Sequence, residues 1–137
     1  MNRGDLQRLA GMRLKEAQAL LRARQYAGAY YLAGYAIECA LKACIAKQTK
    51  EQDFPDRKTV NDSYSHDLEK LVKVAGLREA LDESARRDHA FRVNWNVVKD
   101  WSPDSRYDSR KRRDAEDIHQ SMNDRRHGVM QWIRERW

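Results

Sequence analysis

Leu6, Ala10, Leu14, Ala17 and Leu21 fall on one helical stripe, widened by Leu9 and Leu20. They predict an amphipathic helix from about Asp5 to Arg24. Arg8, Lys15 and Arg22 recur every seven residues on its solvated side. From Tyr26 to about Lys47 the chain reads YAGAYYLAGYAIECALKACIAK, apolar nearly all round. That pattern marks a central helix enclosed by others. Gly28, Ala29, Ala33, Gly34, Ala36 and Ala40 leave room for neighbouring helices to come close. Tyr31, Tyr35, Glu38 and Lys42 make its one polar-tipped stripe, and Glu38 stands four residues before Lys42, the favourable order for a structural ion pair.

Residues 48–64 hold no sustained period and contain Pro55, so a long polar connection is predicted there. A short helix follows from near Ser65, with Gly76 as the residue that closes it. Leu77, Leu81, Ala85, Phe91, Trp95 and Val98 carry the next helical pattern to about Asp100. WSPDSRYD breaks the chain again, with Asp108 placed to cap a last helix running from about Ser109 to near the terminus. Ala115, Ile118, Met122, Val129, Trp132 and Ile133 form its stripe, and Arg126 falls inside it. Three explanations fit that arginine: the helix bends, the guanidinium reaches a carboxylate, or the stripe faces a second copy of the chain. No segment alternates as a strand does. The expected fold is all-α, an up-and-down bundle of four to five helices in a single domain over residues 1–137.

Composition supports an ordered helical chain. Charged residues reach 35% and mean hydropathy is −0.96, but sixteen alanines, four tryptophans and six tyrosines stand against only two prolines. The net charge of +6 is uneven: residues 1–50 carry nine basic and three acidic side chains, and the remainder sums to zero. A basic face must therefore come from the N-terminal third, and an anionic partner such as RNA or a nucleotide is expected. No apolar run is long enough to span a membrane or resembles a secretory signal, so a cytoplasmic protein is expected. Cys39 and Cys44 lie about 140° apart on one helix, too divergent to bridge or to share a metal, and read as core residues. No Cys or His stands at metal-ligand spacing, and no cofactor is expected.

Candidate chemistry rests on histidine near arginine. His119 lies at the edge of the last apolar stripe, and Arg112, seven residues earlier, shares that edge. An imidazole can transfer protons near neutral pH while a guanidinium holds phosphate, a combination suited to RNA cleavage through the 2′-hydroxyl. Arg106 and Tyr107 offer a second contact, a cation and a stacking ring on one loop, with Asp104 or Asp108 as alternative partners for the arginine. His66, in SHDLEKL, opens a helix, where its ring can cap or pack.

The second-helix segment, the SHDLEKLVKVAGL run and the WSPDSRYD break before a last helix together resemble a bacterial HEPN-domain protein over roughly residues 8–137. The resemblance implies a helical, commonly dimeric, cytosolic protein. Many such proteins are metal-independent endoribonucleases of toxin–antitoxin or defence systems, often encoded beside a nucleotidyltransferase. Others are non-catalytic partners or nucleotide-binding modules. The family's signature is an arginine, usually followed by a polar residue, with about four to six residues between it and a histidine. Arg113, with Asp114 behind it, meets this spacing to His119 through five intervening residues, and Arg112 through six. Arg112 or Arg113 is thus the expected phosphate holder, Asp114 a substrate contact and His119 the proton-transfer group, while the resemblance gives His66 a structural part. Substitution of His119 is then expected to cost activity and spare the helices, and substitution of His66 to cost stability first.

Overall fold

The computed structural model describes residues 1–51, 56–104 and 110–137. Helix α1 spans Arg3–Arg22, two residues earlier at each end than the stripe predicts. Asn2 starts it: its side chain accepts from the Asp5 amide at 2.8 Å, and Asp5 returns the bond to the Asn2 amide at 3.1 Å. Arg24, with φ of 61°, turns the chain into α2, Tyr26–Glu51. Ala10 and Ala17 on α1 and Ala29, Ala33, Ala36 and Ala40 on α2 are fully buried, and their small side chains let the helices lie close together. At 26 residues α2 is about 39 Å long, the axis on which the other helices pack.

The polar connection expected over residues 48–64 is shorter than its composition implies. Helix α2 continues to Glu51, and α3 occupies Arg57–Asp62 behind an Asp56 cap; residues 52–55, with Pro55, lie outside the described segments. Gln48 and Thr49 extend α2 because a polar sequence with fair helix propensity loses nothing by continuing into solvent. Helix α4, Leu68–Val74, begins at Asp67, whose carboxylate accepts from the Glu69 and Lys70 amides. It ends as predicted at Gly76, whose φ of +71° lets the Leu77 amide return to the Val72 carbonyl at 3.0 Å.

The two longest later patterns each divide. The pattern from Leu77 onward becomes α5, Arg78–Arg87, and α6, His89–Val98, because Asp88 is extended and turns its carboxylate to the Phe91 amide. The last pattern becomes α7, Arg112–Asn123, and α8, Val129–Arg134. Asp124 stops α7, and its carboxylate accepts from the Arg126 and His127 amides at 2.9 and 2.8 Å. Gly128 is required there, since a Cβ would stand 2.4 Å from the Asp124 carbonyl oxygen. Arg126 is exposed on this turn, so the bend accounts for its place in the stripe, and self-association through a continuous last helix loses its basis. Ser109 and Asp108 lie outside the described residues, and α7 starts at Arg112.

The described residues thus form eight helices rather than four to five, all-α as expected. One apolar cluster joins Leu14, Ile37, Leu41, Leu71, Leu81, Phe91, Val98, Ile118, Met122 and Ile133 around α2. Trp101 lies flat against α2 at Gly34, where any Cβ would fall 2.2 Å from its ring atoms. Cys39 and Cys44 are buried and unbridged, and burial pushes each thiol up to about 11, which suits core residues. Among the described residues no helix is long and apolar enough to cross a membrane.

Candidate functional site

Helix α7 carries the residues singled out by the arginine–histidine spacing, and it separates them. Arg112 is exposed, its Nε bonded to Glu116 Oε1 at 2.5 Å. Arg113 is more open still and lies 4.0 Å from Asp117. Asp114 accepts from the Lys111 amide at 3.2 Å and so starts the helix. His119, two turns along, is only 6% exposed. Its Nε2–H donates to the Ala29 carbonyl of α2 at 3.2 Å, and burial pushes its pKa down. Neither arginine bonds to it. Arg106 and Tyr107 lie outside the described residues.

A different histidine is held in the manner of a proton-transfer group. Glu38, on α2, is 2% exposed, and each of its carboxylate oxygens has a partner. Oε2 accepts from Lys42 Nζ at 3.1 Å, and Oε1 meets His66 Nδ1 at 2.9 Å. A carboxylate can only accept, so Nδ1 carries a proton toward Glu38, and in the neutral ring Nε2 is then the acceptor. The His66 side chain is 57% exposed, so the ring is open to solvent. The cation and the imidazole therefore flank a single buried carboxylate.

Local sequence explains how His66 arrives there. Asp67 caps α4, and its own amide donates to Ser65 Oγ at 3.0 Å, so both neighbours of His66 are tied down. The ring is then directed outward from the start of α4 onto α2. The Glu38–Lys42 pair was legible from its four-residue spacing. Its third member was not, because His66 stands 28 residues away and meets the pair only through the packing of α4 on α2. Around the pair, Tyr35 lies one turn back on α2 with its phenol pushed up by burial, and its ring stacks on Tyr31 at 6.2 Å.

A third histidine, His127, pairs with Asp88 at 2.6 Å. Asp88 also caps α6, and the His127 carbonyl accepts from Asn94 Nδ2 at 2.9 Å. These bonds fasten the turn before α8 to the break before α6.

The family model described as HEPN domain matches residues 5–136, nearly the whole chain. This chain belongs to the HEPN domain family. No curated protein and no solved structure matches it. HEPN domains often act in RNA or nucleotide contexts and often dimerise. In this HEPN chain, then, α7 carries the arginines on its surface and its histidine inside, while the start of α4 presents a carboxylate-held imidazole to solvent.

Proposed function

We propose that this HEPN protein is a metal-independent endoribonuclease whose proton-transfer group is His66. The observation that carries the reading is the exposed His66 ring, fixed through Nδ1 by a buried carboxylate whose other oxygen accepts from the Lys42 ammonium. RNA contains its own nucleophile, so cleavage needs a base for the 2′-hydroxyl and positive charge for the phosphate. His66 Nε2 takes the 2′-hydroxyl proton, and the 2′-oxygen bonds to phosphorus. The bond from phosphorus to the 5′-oxygen breaks, and that oxygen takes a proton from water. His66 then returns its proton to the solvent, leaving a cyclic 2′,3′-phosphate and a 5′-hydroxyl. Glu38 holds the tautomer and offsets the imidazolium charge as it forms. Lys42 supplies the cation.

An endoribonuclease must be restrained inside a cell, which suits a toxin–antitoxin or defence role in the cytoplasm. A homodimer, with an antitoxin or a nucleotidyltransferase as the restraining partner, completes this reading. A second route through Arg112 or Arg113, with Asp114 and His119, follows the family spacing. Its histidine would first have to leave the Ala29 carbonyl and the interior, which is why His66 is preferred.

The test is cleavage of single-stranded RNA by purified protein in EDTA, with product ends identified. Cyclic phosphate ends are expected from the wild type. His66→Ala should lose about a hundredfold or more in rate, the share a positioned acid–base group supplies. Unchanged cleavage by a folded His66→Ala would move the chemistry to α7. No cleavage by folded wild-type protein would favour the non-catalytic HEPN module that binds a nucleotide or a partner.

A further inference from the structure

We infer that the groove between the first turn of α1, the C-terminal half of α2 and α3 is where a second copy of this chain docks. The homodimer of the reading above thereby gains a surface, and the inference rests on that part of the reading. The groove encloses about 1040 Å³ over a floor of Leu6, Ile45 and Ala46. Met1, Val60 and Tyr64 stand at its walls. They are three of the five large apolar side chains exposed among the described residues, Met1 at 80%, Tyr64 at 74% and Val60 at 41%. Side chains of these sizes leave roughly 400 Å² of apolar surface in water, about half of what each partner of a standard interface buries. A patch of that extent on one side of a small domain marks a protein contact. Thr49, Thr59 and Ser63 give it a neutral polar rim.

Shape and charge both favour a like partner. Val60 and Tyr64 are four residues apart, and the Tyr64 amide donates to the Asn61 carbonyl at 3.2 Å, which carries the turn of α3 one step further. The two side chains therefore form one ridge beside the groove. A two-fold axis sets a patch against its own copy, so ridge and groove on the same surface fill each other in both directions at once. The same symmetry penalises unpaired charge, because each such group meets its own kind. The groove avoids that: no aspartate or glutamate lines it, Arg3 already donates to the Trp137 carbonyl at 2.5 Å, and Lys42 to Glu38 at 3.1 Å. The neighbouring groove on α3 and α4 does not, since Lys58 and Lys73 stand in it without an ion pair among the described residues. Tyr64 precedes His66 by two residues, within about 7 Å along the chain, so the contact borders the His66 site of each protomer.

Sedimentation of the purified protein across the micromolar range needs no RNA and tests the contact by itself. The wild type should have twice the 16.2 kDa mass of one chain. Tyr64→Ala should raise the dimer dissociation constant about a hundredfold, since a two-fold contact loses the ring twice. Val60→Asp should leave a monomer, while Met12→Asp, at an exposed apolar position of α1 outside the groove, stays dimeric. Circular dichroism melts establish that each variant is folded, and Tyr64→Ala, which removes a ring already in water, decides the matter should Val60→Asp not fold. A wild type that stays monomeric overturns the inference. So does a dimer that folded Tyr64→Ala and Val60→Asp leave intact, or growth beyond the dimer, which would mean a head-to-tail contact. A dimer lost in both variants upholds the contact even where the wild type cuts no RNA. Cleavage by a monomeric wild type overturns the contact and leaves the His66 chemistry standing.

Discussion

His119→Ala should destabilise the protein by about 3 kcal/mol. The ring is 6% exposed and its Nε2–H donates to the Ala29 carbonyl across the α7–α2 contact. Truncation removes a net hydrogen-bond contribution of about 1 kcal/mol. It also leaves a void where the imidazole packed, worth roughly 2 kcal/mol, at the low end for large-to-small changes because imidazole is smaller than a phenyl ring. A chain of this length unfolds with an entropy of about 0.3 kcal/mol/K, so melting should fall by roughly 10 °C. Circular dichroism melts and urea titrations read both quantities. The acid side gives a separate sign. Burial holds the folded His119 below its ordinary pKa of 6.5, so the unfolded chain binds more protons between the two values. Stability from this group is complete above about pH 6.5 and is lost as the pH falls through the folded value. Wild-type stability should therefore decline from pH 7 to 5, less so in His119→Ala. A variant that melts with the wild type, or the same slope in both, would refute the interior role of this ring.

Gly34→Ala should cost about 2 kcal/mol or more, because its Cβ would lie 2.2 Å from a buried Trp101 ring; wild-type melting would contradict that contact. Asp88 is held below the usual carboxylate range, first by His127 and then by the Phe91 amide. The stability it contributes is present above about pH 4 and lost as the pH falls through its folded value. Asp88→Asn should flatten that acid loss, while Asp88→Ala should speed hydrogen exchange at the Phe91 amide, and unchanged exchange in the alanine variant would remove the capping role. Arg112→Ala should leave the melting temperature where it is, since an exposed pair on one helix contributes little; a large drop would mean that Arg112 packs elsewhere.

Helices α1 and α2 were legible because their apolar positions repeat without interruption, and the end of α4 because Gly76 supplies a left-handed cap. The divisions at Asp88 and at residues 124–128 were hidden for one shared reason. Each turn preserves the phase of the stripe, so Leu81 and Phe91, or Met122 and Val129, still look continuous in a helical projection. Arg126 was the residue that betrayed the second break. The HEPN resemblance carried over to the family, but spacing within α7 could not show which way His119 faces. A stripe-edge position becomes interior when two neighbours cover it, and α2 and α6 both pack on α7. The Glu38–His66 bond links residues that only the folding of α4 onto α2 brings together, so no spacing rule could reach it.

The central claim is that His66 performs the proton transfer, and chemical rescue tests it most directly. His66→Gly opens a space at the Glu38 carboxylate that free imidazole can enter. Cleavage of single-stranded RNA in EDTA should be lost in this variant and return in proportion to added imidazole, with no such gain in the wild type. Full cleavage by a folded His66→Gly without imidazole, or a folded variant that imidazole never restores while the wild type cuts, would contradict the account.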